Sequence, residues 1–492
     1  MEKITTAALA ASADKEAEEK GTSPAILMLR AAHALSEHCA GYKKIAVVCG
    51  SGNNGGDGYA AATLIRDGVT VFFVAEPKTA DARFYREQCE KSGIPVLPFE
   101  HGCLNGCDCV LDCLFGVGLK RKPEGLYARV IEEINVSGAF VISADLPSGL
   151  FSDSGLAPVC VNADVTVTFG AKKAGMLLAD GQDKCGRVVV ADIGTDVREA
   201  AYLVEREDVR SVFPRRKRGS NKGMFGYIAL IGGCGDYTGA PKLSNIAAAA
   251  MRSGAGVVRL CVPRSIGASV SPYLLESTMY SVPDENGHML FSEESIDAML
   301  KSTRACAVGM GWGDGKDNAR ILEYILSVYD GRLLLDADAL NTVARMGSDV
   351  LKGAKPDILI TPHPGEFARL CRTDISSVLD NPIERARQYA EKYGVTVLLK
   401  GAATTVSDGR DAYIVSRGCA GMATAGSGDV LSGIICALLG FSPESACTCA
   451  AAGAYLAGVS GEFAQAETGA YSMIASDTVR HISDGIKYIT GA

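Results

Sequence analysis

The segment Thr424–Gly433, TAGSGDVLSG, ends a glycine-flanked turn in a carboxylate, Asp429, and runs straight on into an apolar helix. Such a turn aims free backbone N–H groups and the positive end of a helix dipole at one point, which suits phosphate oxygens. A fixed carboxylate beside a polyphosphate is repelled by it. Asp429 therefore suits a base that acts on a hydroxyl as the hydroxyl meets a phosphoryl group. Taken alone, the segment is equally readable as an N-cap aspartate on a buried helix.

A second glycine constellation lies near the other end of the chain. Lys44–Cys49 reads as a buried strand, and GSGNNGGDG (Gly50–Gly58) as a loop ahead of the helical YAAATLIRDG. Gly50, Gly52 and Gly55 match the GxGxxG spacing of dinucleotide folds, and Glu76 ends the next strand, VTVFFVAE, about where a ribose-binding acid belongs. Against that reading, Asn53, Asn54 and Asp57 crowd a loop that must be bare where a pyrophosphate approaches. Their oxygens suit a cation or a polar ring substituent. Two further strand ends share this character: CDCVLDCLFGVGLKRK sets Asp112 and the loop Gly116–Lys122 after a strand, and AFVISADLPSGL does the same with Asp145, Pro147, Ser148 and Gly149. An isolated DLPSG is a turn; three strand ends of matched chemistry point to a site.

The elements that hold these groups repeat one pattern. In the second half, Tyr227–Ile231 predicts a strand, Gly232, Gly233, Gly235 and Gly239 a glycine turn, and a small-residue helix follows. VGMGWGD (Val308–Asp314), LLLDADALN (Leu333–Asn341), LITPHPGEFARL (Leu359–Leu370) and LLKGAATTV (Leu398–Val406) are each a β-rich run followed at once by Gly, Asp or Pro-bounded polar residues. Polar groups at the carboxyl ends of parallel strands are where open α/β sheets bind ligands.

With TAGSGDVLSG, these segments resemble the ribokinase-like fold, and specifically the ADP- or ATP-dependent NAD(P)H-hydrate dehydratases, over nearly all of Lys222–Ile489. The resemblance implies that Lys400, Gly401, Ala402, Ala403, Thr404 and Gly428 line the nucleotide and that Asp429 is the catalytic base. It also implies that Gly254, Gly311, His363 and Asp429 face the hydrated dinucleotide. Ser427 stands where that family usually has a threonine. The set NNGGDG, LDCLFGVG and DLPSG resembles the NAD(P)H-hydrate epimerase domain, usually fused ahead of the dehydratase. That implies substrate contacts from Asn53, Asn54, Gly55, Gly56, Asp57, Gly116, Val117, Gly118, Leu119, Lys120, Arg121 and Lys122. Asp145 becomes substrate contact and catalytic acid/base, and Asn54, Asp112 and Ser148 become ligands of a potassium ion, as hard oxygen donors suit a hard cation. The family shows an acidic residue, Asn, Ala and Gly after its Leu-Met pair, whereas Leu27-Met28 is followed here by Leu29, Arg30, Ala31 and Ala32.

The expected architecture is α/β throughout: a Rossmann-like three-layer domain over 1–213, a linker over 214–222 and a ribokinase-like domain over 223–492. A chain of 492 residues exceeds what one core organises. The run PRRKRGSNKG beginning at Pro214 reads as a solvated linker, since a net charge of −8 argues against phosphate-backbone binding and hence against a nucleic-acid partner. The 17 cysteines are scattered through apolar runs, which fits free thiols in a reducing compartment. Cys103, Cys107, Cys109 and Cys113 form the one cluster with a zinc-like density, without a histidine-rich partner segment. The opening residues are amphipathic and charged, and Ser442-Pro443-Glu444 interrupts the most apolar stretch, Leu431–Phe463, so neither a signal peptide nor a membrane partner is expected and the cytoplasm is the expected location. Phosphoryl transfer calls for magnesium; Asp336 or Asp338 either helps hold the ion or its waters or serves only as a structural strand end. ADP and ATP would occupy the same turn; the resemblance leans to ADP. A homo-oligomer is expected, although the alanine-rich Ile246–Met251 suits intrachain packing as readily as self-association. The rival readings are a ribokinase-like small-molecule kinase and an amino-terminal half that senses dinucleotides without catalysis.

Overall fold

The structure is a computed structural model that describes residues 1–247 and 250–492, so the middle of the Ile246–Met251 face lies outside the described residues. The chain divides into two compact units, Glu2–Tyr202 and Leu203–Ala492. The division comes earlier than the 1–213 boundary expected from the charged run. Val204, Val209 and Val212 are buried in the core of the second unit, and the Val204 N–H donates to Ile414 O at 2.9 Å. Residues 203–213 are thus held by apolar burial that the basic run following them conceals. Within that run, the Arg216 guanidinium stacks 3.9 Å from the Phe225 ring centroid and donates to the Gly254 carbonyl.

In the first unit, strands β1 (Ile45–Cys49), β2 (Val69–Phe73), β3 (Val96–Pro98), β4 (Cys109–Cys113), β5 (Phe140–Ala144), β6 (Val165–Phe169) and β7 (Arg187–Ala191) form one parallel sheet in the order β3-β2-β1-β4-β5-β6-β7. Every residue of β1 and β4 is buried, as a parallel sheet covered on both faces requires. Alternate residues feed different cores: Ile45, Val47 and Cys49 pack on one face, Ala46 and Val48 on the other. Cys109 and Cys113 join the first of these cores, and Cys103 and Cys107 the second, so the sheet itself separates the four thiols. The order in which successive strands are laid down reverses between β1 and β4, the switch point where such sheets open a ligand crevice.

The second unit repeats the scheme with β8 (Tyr227–Ile231), β9 (Val257–Pro263), β10 (Thr278–Val282), β11 (Ala305–Val308), β12 (Arg332–Leu335), β13 (Asp357–Ile360) and β14 (Thr396–Leu399), all parallel. The antiparallel β15 (Thr404–Ser407) and β16 (Ala412–Val415) follow, giving the order β10-β9-β8-β11-β12-β13-β14-β15-β16. Helix α1 (Ser427–Phe441) is apolar nearly all round, with Val430 and Ile434–Leu439 buried. Among the described residues no helix is long and apolar enough to cross a membrane.

Candidate functional site

The strand ends of the second unit bring together a charged cluster at the amino terminus of α1. Lys400, directly after β14, donates to Asp336 Oδ1 at 3.0 Å and lies 4.0 Å from Glu366 Oε2. Asp336 follows β12 and is 2 % exposed; its Oδ2 accepts from Ser432 Oγ at 2.7 Å. Burial alone would depress the Lys400 ammonium, but Asp336 and Glu366 outweigh it and hold Lys400 charged. Gly428 lies over this pair: a Cβ there would stand 3.6 Å from Lys400 Nζ and 3.9 Å from Asp336 Oδ2. Asp429, one residue on, forms no ion pair among the described residues. Burial, then Asp336, and more weakly Asp338 raise its carboxyl to about 7 against the pull of Lys400. A carboxylate poised near neutrality at a helix N-terminus is the profile of a general base.

Three neighbours complete the crevice. Ala337 sits at φ +47, a left-handed conformation that a non-glycine residue adopts at a cost on the order of 1 kcal/mol. It separates Asp336 from Asp338, whose Oδ2 accepts the Gly313 N–H at 2.7 Å. Gly311 faces the glycine turn, where a Cβ would meet Ala240 Cβ at 2.8 Å. His363 caps the helix Pro364–Cys371 by accepting from Gly365 N at 3.0 Å, while Glu366 Oε2 accepts the His363 N–H at 2.8 Å. Its ring is half exposed. The Ser427 hydroxyl donates to Met422 O at 2.8 Å and so braces the turn. Gly401 is exposed and Ala403 buried as the chain reverses into β15 at Thr404.

Gly254 is not brought to this cluster. It precedes β9 and packs against Phe441, where a Cβ would lie 3.0 Å from Cε1. Phe441 ends the 15-residue α1, so Gly254 lies about 20 Å from Asp429 at the far end of the helix. GAGVV opens a strand instead of closing one.

The first unit gathers its own set at the β1/β4 switch. Asp145 follows β5 with φ +64 and accepts from Lys173 Nζ at 2.5 Å, from Thr168 Oγ1 at 3.3 Å and from Val117 N at 3.4 Å. Lys173 is 2 % exposed and was not singled out by sequence. Its strand partner, Thr5, lies in a segment read only as charged and amphipathic. Gly116 closes the space between two expected residues, since a Cβ there would be 3.1 Å from Asp145 Oδ2 and 3.2 Å from Asn54 Oδ1. Asn54 Nδ2 is buried without a hydrogen-bond partner among the described residues. Asp57 has its carboxyl pushed well up by burial and then by Asp145.

The glycine loop differs from expectation. Its helix starts at Asn53 and runs to Ile65, so Asn53–Asp57 form its first turns. Gly56 and Gly58 serve close packing, since a Cβ would meet Met28 Cε at 2.6 Å and Cys113 Cβ at 2.8 Å. Asp112, wholly buried, accepts from Ser148 Oγ at 2.6 Å, Ser148 N at 2.8 Å and Ser143 Oγ at 2.9 Å. Burial raises its carboxyl against these hydrogen bonds. The hydroxyl and carboxylate oxygens here, with the Asn54 amide beyond Gly116, make a donor set that fits a hard cation. Leu119 is half-buried, whereas Gly118, Lys120, Arg121 and Lys122 are exposed, and these three cations form no ion pair among the described residues. Glu76, the ribose acid of a dehydrogenase reading, is taken up by Arg86.

The family described as NAD(P)H-hydrate dehydratase matches residues 228–484, and that described as YjeF-related protein N-terminus matches residues 24–175. The bifunctional NAD(P)H-hydrate repair enzyme of Moorella thermoacetica is 34% identical, with 99% of each chain covered. Its namesake in Thermofilum pendens is 36% identical over 93% of this chain and 91% of its own. Among solved structures, the ADP/ATP-dependent NAD(P)H-hydrate dehydratase of Bacillus subtilis, co-crystallised with ATP and Mg2+, is 25% identical with a TM-score of 0.52, covering 59% of this chain and 99% of that one. A ribokinase-like superfamily protein of Enterococcus faecalis has the same fold at 23% identity and a TM-score of 0.53.

Proposed function

Because the chain belongs to the family of bifunctional NAD(P)H-hydrate repair enzymes, we infer that each unit carries one of its two activities at the clusters described above. The second unit dehydrates the S form of hydrated NADH or NADPH at the expense of ADP, and the first interconverts the R and S forms. The single observation that carries the dehydratase assignment is Asp429, a carboxylate raised to about 7 on the first turn of a helix whose Gly428 lies beside the Lys400–Asp336 pair. Hydroxide is a poor leaving group. Asp429 takes the proton from the C6 hydroxyl, whose oxygen attacks the terminal phosphorus of ADP and displaces AMP. The C6–O bond then breaks, phosphate leaves, and loss of a C5 proton restores the dihydronicotinamide. Lys400 and the Gly428 N–H stabilise charge on the transferring group. Ser432 and Lys400 fix Asp336, which with Asp338 would hold magnesium or its waters. When bound, that ion supplies charge neutralisation on the phosphates.

In the first unit, inversion at C6 requires a bond at that carbon to break and reform with a proton moving on or off a heteroatom. Asp57, whose carboxyl is pushed well up by burial and then by Asp145, is the acid of the pair, and Asp145, held by Lys173, the base. Asn54, Asp112 and Ser148 would hold potassium, which when bound fixes the loop geometry. The exposed Lys120, Arg121 and Lys122 meet the dinucleotide phosphates, and a homo-oligomer remains the expected assembly. The test is a racemic hydrate assay with ADP, following recovery of nicotinamide absorbance. Wild type consumes both epimers, and Asp145→Ala consumes one quickly and the other at the uncatalysed rate. Consumption of both by the variant at wild-type rates would overturn the role of Asp145.

A further inference from the structure

The far end of α1 holds a feature that neither activity uses. A cavity of about 880 Å³, within the range of small-molecule sites, is lined entirely by the second unit. Its walls include the half-buried rings of Phe213, Phe225 and Phe441, and its rim carries the exposed Arg215, Arg216 and Arg252. Arg210 also lines it, 3.7 Å from Glu207 and thereby neutralised. The three rim arginines form no ion pair among the described residues. Arg216 is held in place by stacking on Phe225 and by its hydrogen bond to the Gly254 carbonyl. Two helices, α1 and Ile482–Thr490, end at this cavity with Phe441 and Thr490 in its lining. Each contributes about half a negative charge at most, together about one, against three guanidinium groups. A surplus of positive charge therefore remains at the mouth of an aromatic-walled cavity.

We propose that this cavity is a second binding site, for a nucleoside phosphate, remote from both catalytic clusters. The phosphates meet Arg215 and Arg252 at the rim, because guanidinium groups bind phosphate oxygens bidentately. The base enters between the phenyl rings and stacks on their faces. An arginine pre-stacked on Phe225 does not have to be ordered when the ligand arrives, which lowers the entropic cost of binding.

Calorimetric titration of the full chain with ADP tests this. Wild type takes up two equivalents per chain, and Arg215→Glu/Arg252→Glu takes up one while retaining dehydratase turnover, which also reports that the variant is folded. The milder Arg215→Gln/Arg252→Gln weakens the second equivalent at least tenfold. Photolabelling with 8-azido-ADP marks peptides containing Phe225 or Phe441 in wild type and not in the charge-reversed variant. One equivalent of ADP in wild type, or label confined to the Lys400 and Gly428 segments, would overturn the site. Inorganic pyrophosphate displacing the second equivalent as effectively as ADP would overturn the role of the phenyl rings.

Discussion

Asp429→Asn removes the charge of the dehydratase base at nearly constant shape, and the structure sets two opposite consequences for it. The carboxyl rises from 3.8 to about 7 because burial and the Asp336 carboxylate disfavour its ionised form. At 1.36 kcal/mol per unit, ionising it in the folded chain costs at most about 4 kcal/mol, and solvent at the crevice mouth reduces this to ~1–3 kcal/mol. The sign follows from proton counts. Below about pH 3 the residue is largely protonated whether the chain is folded or not. Between there and about pH 7 the unfolded chain releases its proton first, so stability falls as pH rises through the carboxyl's folded-state value. Above it the full cost applies. The Asn variant therefore exceeds wild type by only a small part of that cost near pH 4 and by the whole of it at pH 8, where its melting temperature is higher by a few degrees. Turnover with the S hydrate falls by roughly two to four orders of magnitude, the scale of general-base catalysis, while ADP affinity persists. Paired measurements of melting temperature and turnover at both pH values decide the matter. An Asn variant with near-normal turnover, or one no more stable than wild type at pH 8, would refute the reasoning.

Further outcomes follow from the same geometry. Asp336→Asn removes a charge that raises Asp429 and frees Lys400 to face it, so the acid limb of the kcat/KM profile moves to lower pH; an unmoved or raised limb counts against the electrostatic coupling. Lys173→Met leaves Asp145 without its ammonium partner, and epimerisation drops about a hundredfold or more while dehydration of purified S hydrate is unchanged, which separates the units in one preparation. Excess chelator abolishes the dehydratase step and added magnesium restores it; full turnover in chelator would show that the ion is dispensable.

Much of both sites was legible because their residues sit where apolar strands stop. Asp145, Asp336, Lys400 and Asp429 each follow a β-rich run or open a helix, Asp112 lies inside β4 one residue before its end, and parallel topology sends all such ends to one edge of a sheet. What escaped notice depends on contacts that no local pattern carries. Lys173 meets Asp145 across 28 positions, on a two-residue strand fixed by pairing with Thr5. Ser432 lies a helical turn beyond Asp429 inside an apolar run, where its hydroxyl looks like core filler until Asp336 is found against it. The helix at Asn53 was read as a loop because Gly55, Gly56 and Gly58 oppose helix formation; tight packing against Met28 and Cys113 overrides that propensity. Gly254 shows the converse error, in which a glycine motif was credited with a site although it opens its strand and so lies at the wrong edge.

The switch from parallel to antiparallel pairing after β14 has a thermodynamic consequence for the nucleotide. Segment 400–404 is a reversal pinned at both ends by ladder hydrogen bonds, with Leu399 opposite Thr405 and Thr404 opposite Val415. Such a segment has already lost its backbone freedom during folding, at roughly 1–2 kcal/mol per residue. A ligand that contacts it does not bear that loss again. Amide exchange at Lys400, whose N–H donates to Pro362 O at 2.9 Å, should accordingly be slow in the free protein and change little when ADP arrives, so that loading of the dehydratase site is governed by how fast nucleotide enters and leaves and not by local ordering.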